Sequence, residues 1–350
     1  MSWIGRVGLL GLLLAIFTPA CSTPQISGNE RLTVAYRLTN GRVRVRHSPD
    51  GLTWTTATTF PVLRATVSGP GAGATPDGVT HLVAGEEDDG GTDIKRWFCW
   101  SLGSNSYSDL VDQPSIGAVW TSAPSVAFAG NKTWLIAFRS GALVRVFSWN
   151  TGTKQATNLN FTDTSNVSVT GRPALAIRDD KLVMTYHRNP PGNAPPRIEV
   201  VTGTVDGGVP TFNAATTLAN VEPGTVEIER HHDLSHDTNN FVLAVVRQDA
   251  SSGQPLQTHS LFIYDSADGV AWTRRTRFGV GTPPNLSVRV APMSMGALSD
   301  GTVLAAFLTP SGLDVFRFSS GSWSVVDGTT LFDSTPSLGH DFAMFSAGVP

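Results

Sequence analysis

The chain has 350 residues, a formal net charge of −3 and a pI near 6.2, so no basic surface points to a nucleic-acid partner. Only 15% of its residues are charged, whereas it holds 35 glycines and 22 prolines, a composition that favours many short strands joined by turns. The length is compatible with two domains or with one large all-β domain.

The first residues are typical of an export signal. Arg6 precedes an apolar run over residues 7–17, which is too short and too close to the N-terminus for a membrane span. Ala20 followed by Cys21 is typical of a bacterial lipobox, although Thr18 stands where Leu is usual. We therefore expect residues 1–21 to form a signal peptide with its lipobox, Cys21 to be lipidated, and residues 22–29 to form a linker. Ordinary secretion is the alternative.

An apolar strand, called strand B here, recurs at intervals of about 50–60 residues and often ends in Arg. Its six copies are Leu32–Arg37, Leu82–Glu87, Leu135–Arg139, Val183–Arg188, Leu243–Arg247 and Leu304–Leu308. A short strand A, rich in small residues, precedes most copies, and strands C and D follow them. A four-stranded antiparallel unit repeated six times predicts an all-β fold over residues 30–350, a six-bladed β-propeller with four-stranded blades.

The two ends of the repeat array are expected to meet. The first unit begins directly at strand B, and the chain continues past the last unit with Leu338–Phe345. We expect this C-terminal segment to complete the first blade and close the ring, an arrangement that protects edge strands. A frayed tail is the alternative.

Two turns share the pattern Ser-x-Asp-Gly with a Trp three residues after the Gly. Asp bonds nearby backbone N–H groups in a tight turn, and Gly tolerates a positive φ. We expect a structural role for all eight of the pattern residues. They are Ser48, Asp50, Gly51 and Trp54 in the first turn and Ser266, Asp268, Gly269 and Trp272 in the second.

These turns, in a chain of six all-β units, resemble the Asp-box or bacterial-neuraminidase repeats of sialidase-like β-propellers. The resemblance covers nearly all of the chain after residue 29 at the level of architecture. In that family the Asp box is a folding device on the face away from the active site. The resemblance therefore implies no catalytic role for Asp50 or Asp268.

The opposite face, called the mouth here, collects the ends of the B strands and the beginnings of the A strands. Several guanidinium groups that converge predict an anionic ligand, because Arg pairs bidentately with carboxylate, sulfate or phosphate. The resemblance implies an acidic glycan or polysaccharide as that ligand. The alternative is that these arginines pair with carboxylates of neighbouring blades. The candidate ligand-binding residues are Arg37, Arg139, Arg172, Arg188, Arg230, Arg247, His231 and His340.

Glycoside hydrolysis would require a proton donor and a nucleophile, which in sialidases is a Tyr helped by Glu. The candidate catalytic carboxyl groups at the mouth are those of Glu86, Glu87 and Asp341. None of the four Tyr residues follows Tyr264, where the family usually places its nucleophile. The sequence therefore leaves open whether the protein is an enzyme.

The run over residues 230–237 holds three His and two Asp, which could supply metal ligands together with other blades. In a strand, however, His231 and His232 point to opposite faces. A polar strand that lines the channel is the favoured interpretation, and no metal or cofactor is expected.

We expect an exported, sialidase-like propeller that recognises acidic glycans at its mouth, with exo-glycosidase activity as an open question. The alternative is a non-catalytic cell-surface propeller for adhesion or protein–protein assembly. We expect a cell-envelope or secreted monomer that contacts the membrane through its lipid anchor alone and binds no nucleic acid. Propellers host many functions, so the fold does not separate these hypotheses.

Overall fold

The structure is a computed structural model that describes fifteen stretches of the chain. They are residues 30–40, 42–55, 58–59, 69–88, 93–101, 106–112, 120–159, 161, 168–189, 197–218, 227–249, 259–278, 293–309, 312–327 and 342–347. The regular elements in these stretches are β-strands, numbered β1 to β25 in chain order. No helix within them is long and apolar enough to cross a membrane.

Five antiparallel sheets have four strands each. One joins β1 (Arg31–Arg37), β2 (Val43–Ser48) and β3 (Thr58–Thr59) to β25 (Ala343–Ala347) from the end of the chain. The next contains β4 (Gly71–Ala74), β5 (Thr80–Asp88), β6 (Asp93–Ser101) and β7 (Ser106–Asp112). A third contains β8 (Ser125–Gly130), β9 (Thr133–Ser140), β10 (Leu143–Asn150) and β11 (Gln155–Asn158). The fourth contains β17 (Glu227–His236), β18 (Phe241–Asp249), β19 (His259–Ser266) and β20 (Thr273–Phe278). The fifth contains β21 (Met293–Ala297), β22 (Val303–Thr309), β23 (Gly312–Ser319) and β24 (Ser322–Val326).

The remaining sheet departs from the predicted pattern. It contains β12 (Val169–Arg178), β13 (Lys181–Arg188), β14 (Arg197–Asp206), β15 (Val209–Phe212) and a fifth strand, β16 (Thr216–Thr217). The strand β15 pairs only with residues 203–206 of β14, so β16 can pair with residues 199–200 of the same strand. The prediction of six four-stranded blades is therefore wrong: five blades of the propeller are four-stranded antiparallel sheets.

The strands β4, β8, β12, β17, β21 and β25 each lie at the edge of a sheet, and each contacts the next around a closed ring. These inner strands surround the central channel. The strand β25 pairs antiparallel with β1, with Met344 opposite Val34, so the C-terminal segment lies beside the N-terminal strand as expected. This pairing covers an edge of β1 that would otherwise be open.

Strand B is apolar on both faces because it is sandwiched between two neighbouring sheets. In β9, Trp134 and Ile136 belong to one hydrophobic cluster, whereas Leu135 and Ala137 belong to another. Successive side chains of a strand point to opposite faces, so each half of the alternation packs against a different neighbour. The continuous apolar runs that define the repeats follow directly from this double burial.

The inner strands approach one another so closely that some positions accept only glycine. A Cβ atom at Gly71 of β4 would lie 2.0 Å from the carbonyl oxygen of Pro124. We expect Gly71→Ala to lower the free energy of unfolding by about 1–3 kcal/mol, because backbone must move to relieve the overlap. Urea unfolding would measure this loss. Gly152→Ala is the control, since its Cβ would lie 3.2 Å from movable side-chain atoms; equal losses for both variants would contradict the explanation.

The two Ser-x-Asp-Gly turns have the same hydrogen bonds. Ser48 Oγ accepts the N–H of Gly51 at 2.8 Å, and Asp50 Oδ1 accepts two further backbone N–H groups at 2.8 and 2.9 Å. The turn at Ser266 repeats these three bonds at 2.8, 2.8 and 3.0 Å. Gly51 and Gly269 have φ values of 77° and 78°, which favour glycine. These residues hold the turns, and the partly buried Trp54 and Trp272 pack against hydrophobic clusters between blades.

Candidate functional site

The structure places a network of polar side chains across the central channel. Gly171 has a φ of 78°, and the register of β12 with β13 shifts between Thr170 and Ala174. Arg172 follows this irregularity. Its guanidinium donates to both carboxylate oxygens of Asp233 at 3.2 Å and to the carbonyl oxygen of Phe342 at 2.7 Å.

Asp233 is the centre of this network, which we call the axial cluster (Arg172, Asp233 and Ser294). Ser294 Oγ donates to Asp233 at 2.7 Å and accepts the N–H of Met344 at 2.8 Å. The N–H of Met295 donates to the same carboxylate at 2.9 Å. The cluster thereby joins four inner strands, β12, β17, β21 and β25, across the channel.

Arg172 was predicted to bind a ligand, and here its guanidinium already pairs with a carboxylate of another blade. Asp233 belongs to the His-rich run and lies in an inner strand, as the favoured interpretation of that run expects. No group of three or more His, Cys, Asp or Glu side chains in the described stretches is arranged to hold a metal ion. A ligand-binding role for Arg172 stays a prediction.

Arg188 lies at the end of β13, on the mouth face. Its Nη1 donates to Glu199 Oε1 at 3.2 Å, and the side chains of Arg188 and Glu199 are 24% and 4% exposed. Thr217 Oγ1 donates to the same carboxylate at 3.1 Å. In the register of β13 and β14, Glu199 lies directly opposite Tyr186. Glu199 is not among the residues predicted from the sequence, although a single Glu within an apolar strand is a usable signal.

Arg247 and Arg139 are held in two different ways. Arg247 is only 2% exposed, and its guanidinium carbon lies 5.4 Å from the ring centroids of both Phe262 and Tyr264. Such cation–π contacts stabilise a buried guanidinium. Arg139 is partly exposed, and its Nε donates to Thr121 Oγ1 at 2.9 Å. Arg247 is therefore the least accessible of the predicted ligand-binding residues whose side chains the structure describes.

Two histidines meet between neighbouring blades close to the axial cluster. The rings of His187 and His232 lie 4.8 Å apart, centroid to centroid, with an interplanar angle of 67°. Burial lowers the pKa of His232 to about 4, and the nearby Arg172 acts in the same direction. His232 is therefore neutral at physiological pH, whereas the candidate His231 beside it is partly exposed.

Several of the predicted site residues lie beyond what the structure describes. Cys21, His340 and Asp341 fall outside the described stretches. For Glu86 and Glu87, which end strand β5, and for Arg230 in β17, the backbone is described without the side chain. In the backbone register Glu86 is opposite Lys95. The roles assigned to these residues stay predictions, as does the role of Arg37, which is partly buried at the end of β1.

Asp314 is a carboxyl group at the mouth that the sequence analysis did not select. It lies near the beginning of β23, opposite Phe307 in the register with β22. Burial raises the pKa of Asp314. A raised pKa suits a proton donor, so Asp314 joins the candidates for acid chemistry.

The other end of the channel holds a cavity of about 300 Å³, called the turn-side cavity here. It is lined by the last residues of five inner strands and by the turns that follow them, among them Arg178, Asp179, Ser235, His236 and Ser346. These residues follow Arg172 and Asp233 along their strands, so the axial cluster lies at the inner end of the cavity. This cavity opens on the face of the Ser-x-Asp-Gly turns, away from the mouth.

No protein-family model and no curated protein matches this chain. Solved structures do match: TolB from Acinetobacter baumannii is 13% identical over 92% of this chain and 68% of its own, with a TM-score of 0.52. The GH93 α-L-arabinofuranosidase of Fusarium graminearum, in complex with arabinobiose, is 12% identical over 78% of this chain and 82% of its own, with a TM-score of 0.52. The likeness is one of fold. The β-propeller is therefore shared with glycoside hydrolases and with TolB, and the resemblance to sialidases stays a prediction.

Proposed function

We propose that this protein is an exported, lipid-anchored propeller that binds an acidic polysaccharide at its mouth. The observation that carries the proposal is the guanidinium of Arg188, which is held in place by Glu199 and remains partly exposed at the mouth. A guanidinium has five N–H donors, so a group fixed by one carboxylate can still bind another. Holding the side chain before the ligand arrives reduces the entropy lost on binding.

The shared fold supports a carbohydrate as the ligand. The arabinofuranosidase with the same fold was solved with arabinobiose, so a propeller of this shape can hold a sugar chain. The acidic character follows from the arginines, because a neutral sugar offers no carboxylate to pair with Arg188.

Binding without hydrolysis fits the mouth better than catalysis does. Tyr186, the Tyr opposite Glu199, is fully buried, and Glu199 is 3% exposed. A nucleophile must reach the anomeric carbon of the sugar, which neither group does in this arrangement. Among the carboxyl groups at the mouth whose side chains the structure describes, Asp314 is partly exposed and has a raised pKa, and one acid is half of the usual pair.

Protein–protein assembly is the second candidate function. The pairing of Arg172 with Asp233 across the channel is the observation that favours it, since a carboxylate of another blade already pairs with this guanidinium. Partner binding measured with and without the Arg188 side chain would separate the two candidate functions, because assembly through another surface does not require that side chain.

The mutation Arg188→Gln tests the glycan proposal. The amide can still donate to Glu199 while the positive charge is lost, so we expect polygalacturonate to bind at least about tenfold more weakly, with little change in melting temperature. Isothermal titration with polygalacturonate and with neutral arabinan would measure this. Lys181→Gln, at the other end of the same strand, removes one charge away from the mouth and should leave binding unchanged. Equal binding by the wild type and Arg188→Gln would overturn the proposal.

A panel of fluorogenic glycosides tests the absence of hydrolysis. We expect no release from sialoside, uronide, arabinofuranoside or neutral hexoside substrates, because no accessible nucleophile accompanies Asp314 among the side chains that the structure describes. Release from one acidic sugar that is lost in Asp314→Asn would show that the protein is an enzyme. That result would replace the binding proposal with a glycosidase.

A further inference from the structure

The turn-side cavity holds a buried positive charge. Arg178 is 9% exposed, and its Nη1 and Nη2 donate to the carbonyl oxygens of Thr238 at 3.1 Å and Ala267 at 2.8 Å. Its guanidinium carbon lies 5.4 Å from the centroid of the Phe241 ring. Both hydrogen-bond acceptors are neutral, so these contacts leave the charge of the guanidinium without an opposite charge.

No carboxylate within the described stretches forms an ion pair with Arg178. Its Nε is buried and has no hydrogen-bond partner there. A buried charge is unfavourable unless it is paired, and a buried N–H without an acceptor adds to that unfavourable energy. An anion that can also accept a hydrogen bond would satisfy both the charge and the Nε–H of Arg178.

Free strand edges supply the rest of the cavity wall. The N–H of Leu175 donates to Ser125 Oγ at 3.0 Å, outside its own sheet, so alternation places the backbone N–H and C=O of Ile177 on the same free edge. The N–H of Met344 donates to Ser294 Oγ at 2.8 Å, which places the backbone groups of Ser346 on a free edge in the same way. Ile177 and Ser346 both line the cavity, so it offers backbone donors and acceptors as well as hydroxyl groups.

The charges at the rim restrict the anion. Asp179 and Asp180 line the cavity and are exposed. A charge of −2 doubles the repulsion by these two carboxylates and also doubles the attraction to the one guanidinium of Arg178. The repulsions outnumber the attraction, so a dianion such as phosphate is disfavoured relative to a monocarboxylate. The cavity volume of about 300 Å³ is at the lower end of the range for small-molecule sites.

We propose that the turn-side cavity binds a small hydroxylated carboxylic acid, of the sugar-acid class, with its carboxylate on Arg178. The hydroxyl groups of the ligand bind Ser235, Ser346 and the free-edge carbonyls. This site is separate from the mouth and does not depend on the polysaccharide proposed there, because the axial cluster lies between them.

Isothermal titration of the full-length protein with glucuronate, glucose and phosphate tests this site. We expect saturable glucuronate binding that persists in Arg188→Gln, and at least about tenfold weaker binding of glucose and phosphate. Arg178→Lys keeps the positive charge but loses the planar guanidinium, which binds a carboxylate through two N–H groups, and the Nε–H donor. This variant should weaken glucuronate binding at least about tenfold. Ala74→Trp fills the cavity from a partly buried wall residue, leaves Arg178 in place, and should abolish binding.

Arg188→Gln removes the charge proposed for the mouth, so glucuronate binding that persists in this variant and is lost in Ala74→Trp belongs to the turn-side cavity. Loss of binding in Arg188→Gln with full binding in Ala74→Trp would assign the acid to the mouth and overturn the proposal. Absence of glucuronate binding by the wild type up to about 10 mM would overturn it as well. If Arg178→Lys fails to fold, Ala74→Trp alone shows whether glucuronate binds in the turn-side cavity, because it reduces the cavity volume and leaves Arg178 unchanged.

Discussion

Asp233→Ala is expected to lower the free energy of unfolding by about 3–5 kcal/mol, one of the largest effects of any single change in this protein. Asp233 is 2% exposed and accepts hydrogen bonds from Arg172, Ser294 and the N–H of Met295. Its removal leaves the largely buried guanidinium of Arg172 without a counter-charge and several donors without acceptors. Urea unfolding followed by Trp fluorescence would measure the loss.

Two comparisons make this prediction specific to the axial cluster. Asp206→Ala removes an exposed carboxylate at the end of β14 and should change stability by no more than about 0.5 kcal/mol. The double variant Arg172→Met with Asp233→Leu removes both charges and should recover the part of the loss that comes from the unpaired guanidinium, since an apolar pair can replace a buried ion pair. The donors of Ser294 and Met295 still lack their acceptor in this variant, so the recovery should be incomplete. A loss below about 1 kcal/mol in Asp233→Ala would mean that the cluster does not join the inner strands as described.

The features of the fold that could be predicted are those encoded in local sequence. The B strands have a continuous apolar run because both faces are buried, as the two clusters of β9 illustrate. The Ser-x-Asp-Gly turns are encoded in residues no more than three apart, which bond to one another. The fifth strand β16, by contrast, is two residues long and has no pattern to find. Its pairing depends on how far β15 extends along β14, a tertiary feature.

The site was harder to predict because the state of each arginine depends on distant partners. Arg172 pairs with Asp233, 61 residues away, and with the carbonyl of Phe342, 170 residues away. Arg247 ends a B strand like Arg188, yet it is buried over two aromatic rings while Arg188 is partly exposed. The repeat pattern identifies the face on which an arginine lies. It does not determine whether another blade has already neutralised it.

Three buried histidines should make the stability strongly dependent on pH. The rings of His47 and His81 lie 5.4 Å apart, centroid to centroid, between the first two blades. Burial lowers the pKa of His47 to about 3, with Arg31 contributing, and lowers the pKa of His81 far below its usual range, with His47 and Arg31 contributing. Burial also lowers the pKa of His232 to about 4, where Asp233 opposes and Arg172 reinforces the shift. All three are neutral in the folded protein.

The direction of the pH dependence follows from proton uptake. In the unfolded chain a His has a pKa near 6.5, so below that pH the unfolded state binds up to three protons at these positions that the folded state does not bind. Burial also lowers the pKa of His236, which acts in the same direction. The contribution of the three histidines to the free energy of unfolding is therefore fully present above the unfolded pKa of about 6.5 and is lost as the pH is lowered. Between pH 7.5 and pH 5.5 each His contributes a loss of about 1.4 kcal/mol, which gives about 4 kcal/mol for the three together.

Urea unfolding at pH 7.5, 6.5 and 5.5 would measure this loss in a range where carboxylates remain ionised. His81→Phe replaces one of the three with a ring that cannot be protonated, so about a third of the pH dependence should disappear. The aromatic contact of His81 with Phe345, at 5.8 Å between centroids, can persist in this variant. The exposed Asp206→Ala should keep the full dependence. A wild type whose stability is constant between pH 7.5 and 5.5 would contradict this prediction. It would mean that the histidines are protonated between the blades in spite of the burial of His81 and His232.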